Sequence, residues 1–322
     1  MLNYYLGTIE ASEALIKDLY IDLRKKVNAW SEITQQTPQA RMGYIGQHLV
    51  SVVTGYHGGK SGARGYDLLM GNGEYGEIKT CYRVDQLGTC NNCGKVVSSL
   101  EVNCAYCGSA NISRKDDSKW LLSIRNDDEF AGILNPKRYY FVLFEFSDIA
   151  DQNNNDIDAK IWEVNPNCKG FAYCMIDYYL NIRAHSKSKA PFNMWPYQVK
   201  FYLTKPKLIY YSKIHTDGKI DTIIFPTMGN EYDDELCDLP QYSMATTITV
   251  DAVNRIIQRI SGDPSNVNKR TGLRILQDYR DSGELSNCDL CDWLAEEIYL
   301  PKILGQKANI PENIKNKFND LT

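Results

Sequence analysis

Four cysteines constrain this chain more than anything else in it. Cys90 and Cys93 make one C-x-x-C, Cys104 and Cys107 make a second, and only residues 94–103 separate the pairs. Each pair runs straight into a glycine, Gly94 and Gly108, the residue that lets a chain double back so that two thiolates point at one ion. The spacing favours a four-thiolate zinc ribbon over residues 88–112, with tetrahedral Zn2+ as a structural cofactor. Reduced thiols in a loop, or a pair of disulfides, are the alternatives. Ten cysteines in 322 residues fall well short of the roughly 8–10% typical of a disulfide scaffold. A further pair, Cys288 and Cys291, stands in SNCDLCDWLAEEI. There i, i+3 spacing on a helix sets both on the face of Leu294, and core packing is expected in preference to metal.

The remaining composition is that of a globular chain, 43% hydrophobic and 24% charged, with a mean hydropathy of -0.41. The length suits about two domains, or one large α/β domain with insertions. No run approaches the roughly 18 apolar residues of a membrane span. The start, MLNYYLGTIEASEALIKDL, lacks the basic opening and apolar block of a secretory signal. The expectation is therefore no membrane partner and a cytoplasmic location. The net charge of -4 hides an uneven distribution. Residues 181–220 carry eight basic side chains against one acid, Asp217, whereas 231–238 carry five acids and no base. One region can thus face phosphates while the whole molecule stays acidic.

Periodicity predicts an amphipathic helix over 10–30, a break around Pro38, and a second helix in RMGYIGQHLVSVVTG, whose two glycines suggest close packing on a sheet. YDLLMGNGEYGEIKTCYRV reads as a β-hairpin turning at Gly71-Asn72-Gly73. Strands follow at 120–124, 138–146, 160–164, 201–203 and 207–214, and helices at 127–134 and 171–183. From 248 onward the pattern is helical, at 250–260, 272–280 and 288–299. The expected architecture is a mixed α/β core over 1–87 and 113–247, a zinc ribbon inserted at 88–112, and a helical C-terminal region over 248–322.

The hairpin carries the chemistry. Asp67 opens its first strand, and Glu77 and Lys79, two apart on the second, project from one face while Ile78 points to the other. A carboxylate from each of two paired strands can hold a divalent cation, and a lysine beside them can orient or deprotonate water. Hard oxygen ligands suit Mg2+. An ordinary solvated Glu–Lys pair on an edge strand is the alternative, but the apolar Leu68, Leu69, Ile78 and Cys81 around it argue for a buried sheet.

Asp67, a nine-residue gap and then Glu77-Ile78-Lys79 resemble the D…(D/E)-x-K hairpin of the PD-(D/E)XK nuclease superfamily, in the form of type II restriction endonucleases. The match directly covers residues 43–83. The resemblance implies a restriction-endonuclease-like mixed sheet flanked by helices, with magnesium held by Asp67, Glu77 and the backbone carbonyl of Ile78. It further implies that Lys79 helps generate and place the attacking hydroxide. Many members put a glutamate on the preceding helix where this chain has Gln47, and Tyr66 stands where proline commonly precedes the aspartate. The implied activity is Mg2+-dependent cleavage of double-stranded DNA at a short specific sequence by a homodimer.

On the same resemblance, Ser61 and Arg64 would lie beside the phosphate path. The segment NIRAHSKSKAPFNMWPYQVKF, with Arg183, Lys187, Lys189, Asn193, Trp195 and Lys200, would contact DNA: lysines position a duplex through its phosphates, whereas arginine and asparagine can read base edges. A solvated face is the alternative for both segments. Two rival functions are a repair or junction nuclease of the same superfamily and a non-catalytic DNA-binding protein using the ribbon and a helix-turn-helix near 270–280.

Overall fold

The uninterrupted apolar run that begins at Tyr139 is buried on both faces, as a strand is when sheet continues on either side and both faces are covered. It belongs to the middle strand of a seven-stranded sheet. The computed structural model in which it lies describes residues 4–36, 43–59, 66–84, 86–97, 103–114, 119–148, 156–188, 190–228 and 248–321. The strands are β1 (His57–Gly58), β2 (Leu68–Gly71), β3 (Glu74–Tyr82), β4 (Gly88–Cys90), β5 (Val96–Val97), β6 (Ile112–Arg114), β7 (Trp120–Leu122), β8 (Arg138–Phe146), β9 (Ile157–Val164), β10 (Phe192–Met194), β11 (Lys207–Ile214) and β12 (Ile220–Ile224).

Two compact units divide the chain. The first comprises Met1–Trp120, Tyr139–Glu163 and Leu208–Asn230. Its large sheet has the order β1-β2-β3-β8-β9-β11-β12. Both β1–β2 and β2–β3 are antiparallel. Tyr139, early in β8, feels the charges of Tyr75 and Glu77, while Arg83, just past β3, donates its N–H to the Phe144 carbonyl near the far end of β8 at 2.8 Å. Strands β3 and β8 therefore run in the same direction, and the sheet is mixed.

One face of the sheet is covered by helix α1 (Ile9–Leu15), a π-helical stretch (Ile16–Asp22) and α3 (Gly43–Thr54), with α2 (Leu23–Thr34) continuing from the π-helical stretch and burying none of its residues. Ile45, Leu49, Val50 and Val53 recur at helical spacing and meet Ile78, Tyr140, Val142, Ala159 and Tyr210 in one apolar core. The expected close approach of α3 to the sheet is found at Gly46: a Cβ there would lie 2.0 Å from Thr80 Oγ1 on β3. On the opposite face Trp120 tilts onto Phe141 with centroids 4.9 Å apart and donates its indole N–H to the Val142 carbonyl at 2.8 Å.

The second unit comprises Leu121–Arg138, Val164–Lys207 and Glu231–Thr322. It holds α4 (Asp127–Leu134), α5 (Lys169–Asp177) with a π-helical continuation (Tyr178–Arg183), α6 (Val199–Tyr202), α7 (Val250–Ser261), α8 (Lys269–Asp281), α9 (Asn287–Leu304) and α10 (Glu312–Asn319). The long α9 lies along α5, tied by the Lys169–Glu296 ion pair. A 2.9 Å pair between Lys205 and Asp292 adds a second tie.

Several expectations are corrected here. Residues 201–203 are not a strand: the Leu203 N–H bonds the Val199 carbonyl at 2.8 Å, closing the short helix α6, and left-handed Lys205 (φ 51°) ends it. Cys291 and Leu294 are buried as expected, but Cys288 is exposed, because the i, i+3 pair straddles the rim of the buried stripe. Segments 121–138 and 164–207, placed by the sequence reading with the sheet, group with the C-terminal helices, since α5 buries Phe171 through Asp177 and packs against α9. The acidic stretch 231–238 lies outside the described residues. Among those described, no helix is long and apolar enough to cross a membrane.

Candidate active site and metal centre

The hairpin turns through Asn72 and Gly73, both left-handed at φ 52° and 77°. That is the two-residue turn whose twist matches paired strands, and the Asn-Gly sequence suits it. It sets the register Leu69↔Tyr75 and Leu68↔Gly76, which extended by one residue places Asp67 opposite Glu77. Along β3, Gly76 and Ile78 are buried while Glu77 and Lys79 are partly exposed, as alternation requires.

Asp67 is held from two directions. Its Oδ2 accepts the Ile78 N–H at 2.8 Å, and its Oδ1 accepts Gln47 Nε2 at 2.9 Å from α3. Lys79 Nζ lies 2.6 Å from Glu77 Oε1. All five residues read from the hairpin and its preceding helix, Gln47, Asp67, Glu77, Ile78 and Lys79, are thereby brought together. Burial, and then the charge of Glu77, raise the Asp67 carboxyl above its ordinary range, against the opposing pull of the Ile78 N–H and Lys79. Two carboxylates that repel in a partly desolvated place suit a divalent cation. Each Asp67 oxygen accepts one of these two bonds and keeps lone-pair capacity for such an ion. The donor set therefore fits Mg2+. Gln47 spends its amide on Asp67 and so fixes the orientation of that carboxylate.

The site also has aromatic surroundings that the hairpin motif does not announce. Tyr66 stacks on Tyr75, with centroids 3.9 Å apart. Burial, then Tyr66 and Glu77, raise the Tyr75 phenol. Tyr139 is fully buried on β8, and burial, then Glu77, Tyr75 and Asp67, push its phenol well up. One signal was available: Tyr75 stands two residues before Glu77, hence on the same strand face.

The cysteine cluster is built from two equivalent knuckles. Gly94 N–H bonds Cys90 O and Gly108 N–H bonds Cys104 O, each at 2.8 Å, and both glycines have φ 71°. Strands β5-β4-β6 form the small sheet that carries the first knuckle. The four Sγ atoms lie within 4.8 Å of one another, with Cys90–Cys107 and Cys93–Cys104 each at 3.6 Å. Tetrahedral zinc with bonds of about 2.3 Å needs sulfurs about 3.8 Å apart, and the cluster, with two pairs at 3.6 Å and all four sulfurs within 4.8 Å, is compatible with it.

The second unit's basic segment is less free than its sequence suggests. Arg183 donates Nε to the Ile124 carbonyl at 2.7 Å and Nη1 to the Ser186 and Ser188 carbonyls at 3.0 and 2.8 Å. Lys200 Nζ bonds the Asn193 carbonyl at 2.5 Å and sits over the Phe192 ring. Lys187 is exposed, and Asn193 and Trp195 are half-buried. Ser61, Arg64 and Lys189 lie outside the described residues.

A family model described as MamI restriction endonuclease matches residues 29–239, well over half of the chain. No curated protein matches, nor does any solved structure. The chain belongs to the MamI restriction endonuclease family, and as such it is a nuclease whose substrate is DNA.

Proposed function

We propose that this chain is a type II restriction endonuclease of the PD-(D/E)XK superfamily, a cytoplasmic homodimer that cuts both strands of a short specific duplex sequence. The observation that carries the reading is the fixed Asp67 carboxylate, held by the Ile78 N–H at 2.8 Å opposite the Glu77–Lys79 pair. Further support comes from a chain path in which an antiparallel β1-β2-β3 unit is followed by β8 running alongside β3. Asp67 and Glu77, with the Ile78 carbonyl, would hold Mg2+. When bound, that ion lowers the pKa of a coordinated water and offsets the charge of the phosphate.

The chain's own groups do the rest. Gln47 and the Ile78 N–H keep the Asp67 carboxylate from turning away. Lys79, steered by Glu77, holds the attacking water in line with the bond from phosphorus to the 3′ oxygen, while that water's proton passes to solvent and the departing 3′ oxygen takes one from solvent. The cleaved bond leaves a 5′ phosphate and a 3′ hydroxyl, with one water consumed. Zinc in the four-cysteine ribbon would be structural, supplying folding energy to residues 88–112. In the second unit, Lys187 and Lys189 would touch phosphates and Asn193 a base edge. Ser61 and Arg64 in the first unit would lie along the phosphate path. Trp195 would pack on the duplex, with Arg183 and Lys200 shaping the segment that presents it.

The test is incubation with phage DNA and magnesium. Discrete fragments are expected from the wild-type protein and none from Asp67→Ala or Glu77→Ala. Binding without cleavage in magnesium would favour a DNA-binding protein that does no chemistry, and cutting only at branches or mismatches would favour a repair enzyme.

A further inference from the structure

We infer that Tyr66, braced by Tyr75, is a substrate-positioning residue whose exposed ring stacks on the nucleotide next to the scissile phosphate. The inference rests on the nuclease reading of Asp67 and Glu77. Tyr66 immediately precedes Asp67, and Tyr75 precedes Glu77 by two residues on one face of β3. The two rings come together over the pair of strands that supply the carboxylates, 3.9 Å apart with planes inclined at 27°. Neither ring belongs to the apolar core under α3. Tyr66 remains 54% exposed although its inner face is covered by Tyr75.

A ring held rigidly on one side and open to water on the other is poised to take a second ring. Its position narrows what that ring can be. The carboxylates beside it take a phosphate only through a cation, whereas the Tyr66 face is apolar and takes a flat partner. Residues two apart on a strand are separated by roughly 6.5–7 Å, so a phosphate held at Glu77 and the nucleoside attached to it fall within reach of the two features together. Aromatic stacking is indifferent to base identity, since every base has a π-face, and in a duplex the ring takes a base that has left its own stack beside the cut, at a cost of a few kcal/mol. The platform therefore sets the position of the nucleotide and leaves sequence reading to other residues. Tyr75 gives the brace, its ring stacked against the inner face of Tyr66.

The experiment compares wild type, Tyr66→Ala and Tyr66→Phe. Cleavage of phage DNA with magnesium gives the rates and, from the fragment ends, the cut sequence. A duplex of that sequence with 2-aminopurine beside the cut bond is then bound with calcium in place of magnesium. Losing one stacked base lowers kcat/KM by about 5- to 140-fold, the stacking energy converted at tenfold per 1.4 kcal/mol. Tyr66→Ala should show that loss with unchanged melting, whereas Tyr66→Phe stays within about twofold of wild type. The 2-aminopurine fluorescence, quenched by stacking in the free duplex, should change alike on binding wild type and Tyr66→Phe, and follow a different course on binding Tyr66→Ala. Wild-type cleavage by Tyr66→Ala, or equal losses in both variants, overturns the platform and leaves the nuclease reading standing. Wild-type protein that cuts no DNA with magnesium removes the nuclease reading and the platform with it.

Discussion

Replacing Gly46 with alanine tests how α3 places Gln47 on the Asp67 carboxylate. The new methyl would lie 2.0 Å from Thr80 Oγ1, 2.8 Å from its Cγ2 and 3.0 Å from its Cβ, where ordinary contact begins near 3.4 Å. The severe overlaps are with Oγ1 and Cγ2; a rotation that turned the Thr80 hydrogen toward the new methyl would leave its Cβ short of ordinary contact by only a few tenths of an ångström. The backbones must separate by a few tenths of an ångström if Thr80 turns, and by more than about 1 Å if it keeps its rotamer. Overpacking of this kind costs about 1–3 kcal/mol, a fall of several degrees in melting temperature at about 2–4 °C per kcal/mol. The larger effect is on chemistry, because Gln47 is the next residue and its bond to Asp67 is 2.9 Å long. A displacement near 1 Å at a reacting centre can reduce the rate by about 100-fold. The assay is melting and phage-DNA cleavage for Gly46→Ala, Thr80→Ala and the double variant. Thr80→Ala removes the two closest atoms, so the double variant should regain most of the stability and most of the rate. A Gly46→Ala protein that melts and cuts like wild type, or a double variant with no recovery, would refute the idea that this close approach positions Gln47.

Asp67→Asn and Glu77→Ala should both abolish cleavage while leaving specific DNA binding intact or improved, read by gel shift in calcium. Asp67→Asn has a further signature. Because burial and Glu77 raise the folded pKa of Asp67, the stability linked to its protonation is present at low pH and is lost as pH rises through the raised value. The metal-free variant should accordingly melt above wild type at neutral pH and level with it below the ordinary carboxylate range; a lower melting point at neutral pH would count against this. Elemental analysis should find about one zinc per chain, and Cys104→Ser should destabilise residues 88–112; zinc-free protein with unchanged melting would remove the site. Lys187→Ala and Lys189→Ala should weaken cognate and scrambled duplexes alike and flatten the salt dependence by about one unit per contact. Asn193→Ala should lose about 1–3 kcal/mol on the cognate duplex only, and equal losses on both would make the segment a phosphate clamp.

The sequence by itself determined whatever rests on short-range pattern. Two C-x-x-C-G units dictate two knuckles, because backbone bonds from Gly94 and Gly108 back to Cys90 and Cys104 need only local chain. Asn72-Gly73 dictates the hairpin, and the hairpin's period of two separates Glu77 and Lys79 from Ile78. The buried strand over 138–146 and the helix over 127–134, opened by the Asn126 side chain on the Glu129 N–H, were legible for the same reason. What only the tertiary structure decided involves partners distant in the chain. The Gln47–Asp67 bond joins residues 20 apart and depends on how closely α3 can approach β3 at Gly46. The Tyr66–Tyr75 stack depends on where the chain enters β2. The helix at 199–202, which alternation presents as strand, and the grouping of 164–207 with the C-terminal helices are settled by contacts such as Lys205–Asp292. Arg183 looked free because sequence shows its charge, and it is bound because three carbonyls, one of them 59 residues away, converge on its guanidinium. Local pattern fixes which groups face the same way, and burial against distant chain fixes which of them meet.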